Sequence, residues 1–259
     1  MSSTEGAAAG GGHERTRLSR LRKRIAQNVS ESRRTAAHVW TSVEVDYEAL
    51  EQVRRRHRAE FREREGFSLT YLPFVAVATI DALAAFPEVN SLFDFSEGSQ
   101  TLRDRVNLGI AVDLDRSGLI VVVVPDAGSL GPEELARRIN DLAGRARAGR
   151  LWAADVGGST FTITNPGSFG SFMSAPIINL PNAAILATDG VAKRPTVVTS
   201  PDGSDVIAVH HIGHLGLSWD HRAFDGSVAA LFLGRIRSNI ETWDWEGYLG
   251  GETAAGGDE

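Results

Sequence analysis

The sequence contains no cysteine, which excludes disulfide bonds, thiolate metal sites and a cysteine nucleophile. Basic residues are fewer than acidic ones, 27 against 33, and the formal net charge of −6 argues against a nucleic-acid-binding protein. The sequence also lacks an N-terminal basic region followed by an apolar run, and no segment approaches the apolar length that spans a bilayer. These absences predict a cytoplasmic protein that binds neither nucleic acid nor membrane.

Length and composition favour a single folded domain between two short tails. Of the 259 residues, 42% are hydrophobic, which is enough for a substantial core. Residues 1–15 are rich in Gly, Ala, Ser and Thr and have no periodicity, so we predict a flexible tail or the remnant of a linker. Residues 250–259 are predicted to form a disordered tail. No repeat or linker interrupts 16–249, which we interpret as one domain.

Apolar periodicity predicts strands and helices in mixed order, an α/β fold with helices packed on a sheet. The predicted helices cover 18–29, 47–64, 72–86, 131–148 and 227–240. The predicted strands cover 35–47, 92–95, 107–113, 119–124, 159–164, 184–188, 196–199 and 206–219.

One buried strand ends in a cluster of ionisable residues. The apolar run that ends at Trp219 is followed by His221 and Asp225, which precede the predicted helix 227–240. A strand end and a helix are rigid supports, so a loop between them is a common position for catalytic side chains. A neutral imidazole suits a general base because its pKa lies near neutral pH. A lone histidine before a turn is more often structural, so this motif does not settle its role.

Four stretches together resemble the dihydrolipoyl acyltransferases, the core components of 2-oxoacid dehydrogenase complexes. The segment Asp220-His221-Arg222-Ala223-Phe224-Asp225-Gly226 resembles their His-x-x-x-Asp-Gly signature, which chloramphenicol acetyltransferase shares. Three further stretches resemble the family in the same order: Leu21-Arg22-Lys23-Arg24-Ile25-Ala26 with Thr35-Ala36-Ala37-His38-Val39, Thr160-Phe161-Thr162-Ile163-Thr164-Asn165-Pro166-Gly167-Ser168-Phe169-Gly170, and Ala175-Pro176-Ile177-Ile178-Asn179 with Ala184-Ile185-Leu186. The resemblance covers 16–249, the whole of an acyltransferase catalytic domain.

The resemblance implies a chloramphenicol-acetyltransferase-like fold, a homotrimer, and acyl transfer between a dihydrolipoyl thiol and coenzyme A. In this chemistry His221 is the base that takes the proton from the attacking thiol, and the hydroxyl of Thr164 stabilises the oxyanion. In related enzymes the two groups come from neighbouring subunits, which places the active sites at the trimer interfaces.

The resemblance leaves several nearby roles open. Asp225 is predicted to hold the loop through hydrogen bonds in preference to acting as a partner of the histidine. Ser218 and Ser168 either bind coenzyme A or cap turns. His38 and Trp219 either line the substrate pocket or pack in the core.

Three further histidines, His210, His211 and His214, resemble a metal cluster only by their proximity in sequence. On a strand, His210 and His211 point to opposite faces, and the neighbouring sequence supplies no acidic or thiol ligand. We therefore predict no metal site.

A lipoyl domain needs a lysine in an Asp-Lys-Ala hairpin, and the only lysines, Lys23 and Lys193, lie elsewhere. Either the chain is a truncated core, or a lipoyl domain on another protein supplies the acyl group. The implied partners are the decarboxylase and dihydrolipoyl dehydrogenase components. The acyl group (acetyl, succinyl or branched-chain) and the assembly (a trimer or a larger cage) stay open. Two alternatives remain: a chloramphenicol-type O-acetyltransferase and a non-catalytic scaffold.

Overall fold

The computed structural model describes residues 17–94 and 96–249. The predicted tails, 1–15 and 250–259, lie outside the described residues, as does Phe95 at the end of one predicted strand. The helices in this part of the chain are α1 (Arg20–Thr35), α2 (Glu48–Glu65), α3 (Leu72–Ala85), α4 (Pro132–Arg147), α5 (Gly226–Thr242) and α6 (Trp245–Leu249). The strands are β1 (His38–Asp46), β2 (Ser91–Asp94), β3 (Ser99–Leu102), β4 (Leu108–Asp113), β5 (Leu119–Val124), β6 (Phe161–Thr164), β7 (Ala184–Thr188), β8 (Ala192–Thr199) and β9 (Asp205–Asp220).

The main sheet is mixed, which confirms the predicted fold class. Its strand order is β1-β9-β7-β6-β4-β5, and β8 pairs with the first half of β9. The β4/β6 and β6/β7 pairs are parallel, whereas the other pairs are antiparallel. Because β9 pairs with β1 along one edge and with β7 along the other, its second half is a central strand. Residues 212–220 are buried, so this part of β9 is covered on both faces by other elements in addition to its neighbours along both edges.

The two faces of the sheet differ in chemistry. Alternate residues of β9, among them Leu215, Leu217 and Trp219, belong to the main hydrophobic core. On this face α2, α4 and α5 contact the sheet, and α3 packs against α4 and α5. Gly216 and Ser218 point to the opposite face. That face is covered by the chain after β6, which we call the cover segment (residues 165–183).

Aromatic side chains join the helices to the sheet. Phe232 of α5 is fully buried and makes edge-to-face contacts with Phe161 of β6 and Phe86. On the other side of the core, Phe74 of α3 contacts Trp245 in the same geometry. Such pairs stabilise a core beyond their buried area, so α5 is firmly seated against the sheet.

Helix α1 is longer than the apolar spacing predicts. The pattern ends at Val29, but the helix continues to Thr35 and β1 begins only at His38. The extra turns are polar, and the buried Ser32 hydroxyl donates a hydrogen bond to the carbonyl of Ile178 at 2.7 Å. A contact with a residue 146 positions away holds this end of the helix, and local periodicity cannot predict such a contact.

Two elements are absent from the predictions, and a third is longer than predicted. The strand β3 is exposed along its length and pairs only with β2, so it has no apolar face to reveal it. The helix α6 is five residues long, too short for a periodic signal. The strand β8 begins at Ala192 and includes Pro195, which is tolerated because β8 is an edge strand.

Across 17–94 and 96–249, no helix combines the length and the apolar character that crossing a membrane requires.

Candidate active site

The loop between β9 and α5 is held by the buried carboxylate of Asp220. Its Oδ1 atom accepts hydrogen bonds from the backbone N–H of Ala37 at 3.3 Å and of Arg222 at 3.1 Å. The Arg222 guanidinium donates to both oxygens, from Nε at 2.9 Å and from Nη2 at 2.6 Å. Nη2 also donates to the Thr35 carbonyl at 2.6 Å, so the loop is fixed to the end of α1.

The environment of Asp220 keeps this carboxylate ionised. Burial opposes the charge, but hydrogen bonds from the Arg222 side chain and from backbone amides outweigh it and lower the pKa of the Asp220 carboxyl. The Asp220 side chain is 6% exposed. A buried carboxylate is stable in this way only when its oxygens are paired, so the charge and the loop geometry depend on each other.

Trp219 fixes the same loop from the core side. Its indole N–H donates a hydrogen bond to the Phe224 carbonyl at 3.0 Å. Its ring also stacks on the Phe224 ring, with the two ring centroids 6.0 Å apart. Trp219 is buried in the main core. Of its two predicted roles, core packing is the one observed within the single chain.

The imidazole of His221 projects from this rigid loop. The backbone N–H of His221 donates to the Ala37 carbonyl at 3.0 Å, and the ring centroid lies 5.9 Å from that of Trp219. The side chain is 46% exposed. Among the described residues, none makes a hydrogen bond to either ring nitrogen. The ring is therefore held in place from one side and accessible from the other, which suits an imidazole that exchanges protons with a ligand.

Asp225 lies at the N-terminal end of α5, next to this imidazole. Its Oδ1 atom is 3.8 Å from Nδ1 of His221, and its carboxylate is 83% exposed. It is the N-cap residue of α5 but makes no capping hydrogen bond through its side chain. The loop-holding bonds predicted for Asp225 come from Asp220 in the single chain. A catalytic part for Asp225 stays a prediction.

Thr164 ends β6 on the face of the sheet that the cover segment overlies. The strand register aligns Thr164 with Ala187 of β7, and Ala187 with Gly216 of β9. His221 lies five residues after Gly216 along the chain. At about 3.3 Å per residue along a strand and about 4.8 Å between strands, the two backbones lie roughly 19 Å apart. A single chain therefore does not bring Thr164 and His221 into one site.

The remaining predicted site residues occupy different settings. His38 uses both ring nitrogens: Nδ1 lies 3.2 Å from the Ala36 carbonyl, and Nε2 accepts from the Ile178 N–H at 3.1 Å. These bonds specify the Nδ1–H tautomer. Ser218 is buried inside β9 and caps no turn. Ser168 is exposed and donates to the Asn165 carbonyl at 3.0 Å, so its hydroxyl closes a turn. Coenzyme A contacts for these serines stay predictions.

The three histidines of β9 have acidic neighbours that sequence proximity did not reveal. The paired atoms are His210 Nδ1 and Asp46 Oδ2 at 2.5 Å, His211 Nδ1 and Glu48 Oε2 at 2.6 Å, and His214 Nε2 and Glu44 Oε2 at 3.6 Å. Each histidine therefore has its own carboxylate on β1 or α2. In the described ranges, no group of three or more His, Cys, Asp or Glu residues could hold a metal ion.

Sequence reasoning missed two acidic residues, one that holds the His221 loop and one that holds the cover segment. Asp220 directly precedes His221, and a carboxylate two positions before an arginine is a usable signal for a loop clamp. Asp189 follows β7 and binds the hydroxyls of Ser171 and Ser174 in the cover segment. Its partners are 18 and 15 positions away, so no local pattern indicates them.

A family model described as 2-oxoacid dehydrogenases acyltransferase (catalytic domain) matches residues 10–246. Among curated proteins, the dihydrolipoyllysine-residue acetyltransferase component of the pyruvate dehydrogenase complex of Mycobacterium bovis is 41% identical over 90% of this chain and 42% of its own length. The lipoamide acyltransferase component of the branched-chain alpha-keto acid dehydrogenase complex of Bacillus subtilis is 37% identical over 92% of this chain and 54% of its own length. The succinyltransferase component of the 2-oxoglutarate dehydrogenase complex of Rickettsia bellii is 38% identical over 88% of this chain and 55% of its own length. The chain thus spans about half the length of these relatives.

Solved structures are similar over nearly the whole domain. A probable dihydrolipoamide acetyltransferase from Listeria monocytogenes has a TM-score of 0.83 and 38% identity, covering 90% of this chain and 95% of that one. A dihydrolipoamide acetyltransferase from Azotobacter vinelandii has a TM-score of 0.84 and 29% identity, covering 96% of this chain and 100% of that one. That enzyme was studied for the role of a serine, a histidine and an asparagine in its catalytic mechanism. The cubic core of a pyruvate dehydrogenase multienzyme complex gives the same values. Chloramphenicol acetyltransferase has a TM-score of 0.50 and 14% identity, covering 83% of this chain and 94% of that one. This likeness shows a shared fold alone.

Proposed function

Because the chain belongs to the family of 2-oxoacid dehydrogenase acyltransferase catalytic domains, we propose that it transfers an acyl group between a dihydrolipoyl thiol and coenzyme A. The observation that carries the proposal is the accessible imidazole of His221 on a loop fixed by Asp220 and Trp219. A base held in this way meets an incoming thiol without first having to be ordered.

One base is sufficient for this reaction, because the same proton is first accepted and then returned. The imidazole of His221 accepts the proton from the thiol of coenzyme A while the sulfur attacks the carbonyl carbon of the acyl thioester. The tetrahedral intermediate then expels the dihydrolipoyl sulfur, which takes the proton back from the imidazolium. A thiol of ordinary pKa near 8.5 is mostly protonated at neutral pH, so removal of this proton is required for attack.

The oxyanion of the intermediate needs a hydrogen-bond donor, and we assign the hydroxyl of Thr164 to this role. A preorganised donor of this kind is typically worth about 2.7 to 4 kcal/mol of barrier. The Azotobacter vinelandii enzyme was studied for a serine, a histidine and an asparagine four residues after the histidine. His221 and Asp225 have this same spacing, and Thr164 carries a hydroxyl as a serine does, which supports the assignment.

We infer that the site is completed between subunits of a homotrimer. The separation of about 19 Å between Thr164 and His221 within one chain supports this arrangement, since a general base and an oxyanion donor must reach the same small group. A structural relative is described as the cubic core of a multienzyme complex, which supports the assembly of such trimers into a larger cage.

The acyl carrier is proposed to be a lipoyl group on another domain or another chain. The relatives are components of pyruvate, branched-chain alpha-keto acid and 2-oxoglutarate dehydrogenase complexes. We therefore propose decarboxylase and dihydrolipoyl dehydrogenase components as partners. The similar identities to acetyl, branched-chain and succinyl relatives favour no single acyl group.

The test is a thiol-release assay on the purified protein with dihydrolipoamide as acceptor and acetyl, isobutyryl and succinyl coenzyme A as donors. We expect turnover with at least one donor and its loss in His221→Ala. His57→Ala, which removes an imidazole that pairs with Glu246 of α6, serves as a histidine control that keeps activity. No turnover above His221→Ala with any donor would instead favour a scaffold. Turnover on chloramphenicol but not on dihydrolipoamide would indicate an O-acetyltransferase.

A further inference from the structure

The imidazole of His38 closes a short turn at the start of β1. The backbone N–H of His38 donates to the Ala36 carbonyl at 3.0 Å, which is an i to i+2 hydrogen bond around Ala37. The Nδ1–H of the His38 ring donates to the same carbonyl at 3.2 Å. One residue thus supplies two donors to the Ala36 oxygen, and this arrangement orients the peptide groups of Ala37. We call residues 36–38 the His38 turn.

The His38 turn binds the loop that carries the proposed base. Ala37, at the centre of the turn, contacts this loop through both of its backbone groups. Its carbonyl accepts from the His221 N–H at 3.0 Å, and its N–H donates to Asp220 Oδ1 at 3.3 Å. The register of β1 and β9 aligns His38 with Asp220, so these bonds extend the strand pairing by one residue. The backbone of His221 is therefore held against Ala37, which is in turn oriented by His38.

The second ring nitrogen of His38 determines which nitrogen carries the proton. Nε2 accepts from the Ile178 N–H at 3.1 Å, so the proton of the neutral ring lies on Nδ1 and points to Ala36. Ile178 is 2% exposed and forms a small apolar cluster with Ala36 and Ile185. Its carbonyl accepts from the Ser32 hydroxyl at 2.7 Å. The N–H that selects the tautomer therefore belongs to a backbone segment that is itself fixed.

We propose that His38 is a positioning residue for the base His221: it orients Ala37 and, through Ala37, the backbone from which the His221 imidazole projects. The inference rests on the proposed acyl transfer, in which this imidazole meets the thiol in a narrow range of geometry. A displacement of about 1 Å at a reacting group can cost about 100-fold in rate. Because Asp220 and Trp219 also hold the loop, loss of the His38 bonds is expected to cost less, about tenfold in kcat.

Two other roles of His38 would have different kinetic signatures. Poorer positioning of a base lowers kcat and kcat/KM by the same factor. Loss of a direct contact between His38 and the acyl group would raise KM while kcat is kept. A role limited to protein stability would lower the melting temperature and leave both constants unchanged in the molecules that stay folded. The effects on kcat and KM therefore separate the three roles.

The experiment uses three substitutions that separate the two ring nitrogens. His38→Leu removes both bonds, His38→Asn keeps an amide donor near the position of Nδ1, and His38→Gln places an amide oxygen near the position of Nε2. Ser32→Ala is the control, because it removes the other hydrogen bond to Ile178 and leaves the His38 turn in place. Steady-state kinetics with dihydrolipoamide and the acyl-coenzyme A donors are measured below the melting temperature of each variant. Hydrogen exchange of residues 36–38 and 220–222 is measured in parallel.

We expect His38→Leu and His38→Gln to lower kcat about tenfold with KM within about twofold of the wild type. His38→Asn should stay within about threefold of the wild-type kcat, and Ser32→Ala should keep both constants. Faster exchange of 36–38 and 220–222 should accompany each loss of kcat.

An unchanged kcat in His38→Leu, a rise in KM alone, or an equal loss of kcat in Ser32→Ala would overturn the inference while normal wild-type turnover kept the proposed function. A lower kcat in His38→Asn than in His38→Gln would also overturn it, and this comparison holds even if His38→Leu does not fold. Absence of wild-type turnover would contradict the proposed function and the positioning role together.

Discussion

At the scale of single residues, Asp220 holds the loop that carries His221. Its carboxylate is buried and accepts hydrogen bonds from the Arg222 guanidinium and from two backbone amides. Removal of one partner from such a pair leaves the other charge unpaired in a poorly solvated position. The contribution of Asp220 is therefore to loop geometry and to folding stability at once.

Asp220→Asn should lower the free energy of unfolding at pH 7 by about 3 kcal/mol. The pKa of the Asp220 carboxyl is lower in the folded than in the unfolded chain, so its stabilisation is present above the unfolded pKa and is lost as the pH falls through the folded pKa. Urea unfolding at pH 7 and at about pH 2 measures both effects, and the difference between the variant and the wild type should be smaller at the acidic value. A constant difference at both pH values would contradict this account. The exposed Asp205→Asn is the matched control.

Thr164 is the residue on which the oxyanion assignment depends. Thr164→Val keeps the side-chain shape but removes the donor, and should lower kcat by about 100-fold with the oligomer intact. Thr164→Ser keeps the hydroxyl and should stay within about threefold of the wild type. Size-exclusion chromatography checks assembly. If Thr164→Val kept its full rate, another group would hold the oxyanion.

At the scale of elements, α5 determines where the His221 loop ends. The helix begins at Gly226, directly after Asp225, and Phe232 anchors it between Phe161 and Phe86. Any loosening of this helix would free the end of the loop. The aromatic anchor therefore stabilises both the core and the geometry of the site.

Phe232→Ala should lower the free energy of unfolding by about 3 to 5 kcal/mol because it leaves a cavity among aromatic rings. The neighbouring Leu231 is 62% exposed on the same helix, so Leu231→Ala should cost less than about 1 kcal/mol. Chemical unfolding of both variants provides the comparison. Equal costs would show that the aromatic contacts do not determine the seating of α5.

At the scale of the whole molecule, the orientation of the sheet separates the two proposed catalytic groups. Thr164 lies at one end of the sheet and the loop after β9 lies at the other, roughly 19 Å away at ordinary strand dimensions. In a cyclic trimer, however, one end of a subunit can face the other end of its neighbour. The chain then contributes half of each of two sites.

Mixed oligomers test this arrangement directly. His221→Ala and Thr164→Val should each be nearly inactive alone, but after joint refolding at equal amounts about a quarter of the sites should combine an intact His221 with an intact Thr164. Recovered activity near a quarter of the wild-type value is expected. If both groups belonged to the same chain, every site in the mixture would lack one of them, and no activity would return.

Local patterns were sufficient for those parts of the fold that have their own periodicity. The helices α2 to α5 and the strands β4, β5 and β7 lie within a few residues of the predicted ranges, because each has an apolar face or a buried run of its own. Three features were not predicted: β3 has no apolar face, α6 is too short for a periodic signal, and the polar end of α1 is held by a distant contact.

The sequence by itself determined the family and the candidate base, because the motif around His221 and three further stretches are local features that residue order preserves. Only the tertiary structure decided which carboxylate holds the His221 loop, that His38 has both nitrogens bonded, and that Thr164 and His221 lie far apart in one chain. It also revealed that the buried Asp189 accepts hydrogen bonds from the hydroxyls of Ser171 and Ser174. The physical reason is the same in each case: hydrogen-bond partners and strand register join residues that are distant in sequence, so their geometry exists only once the chain has folded.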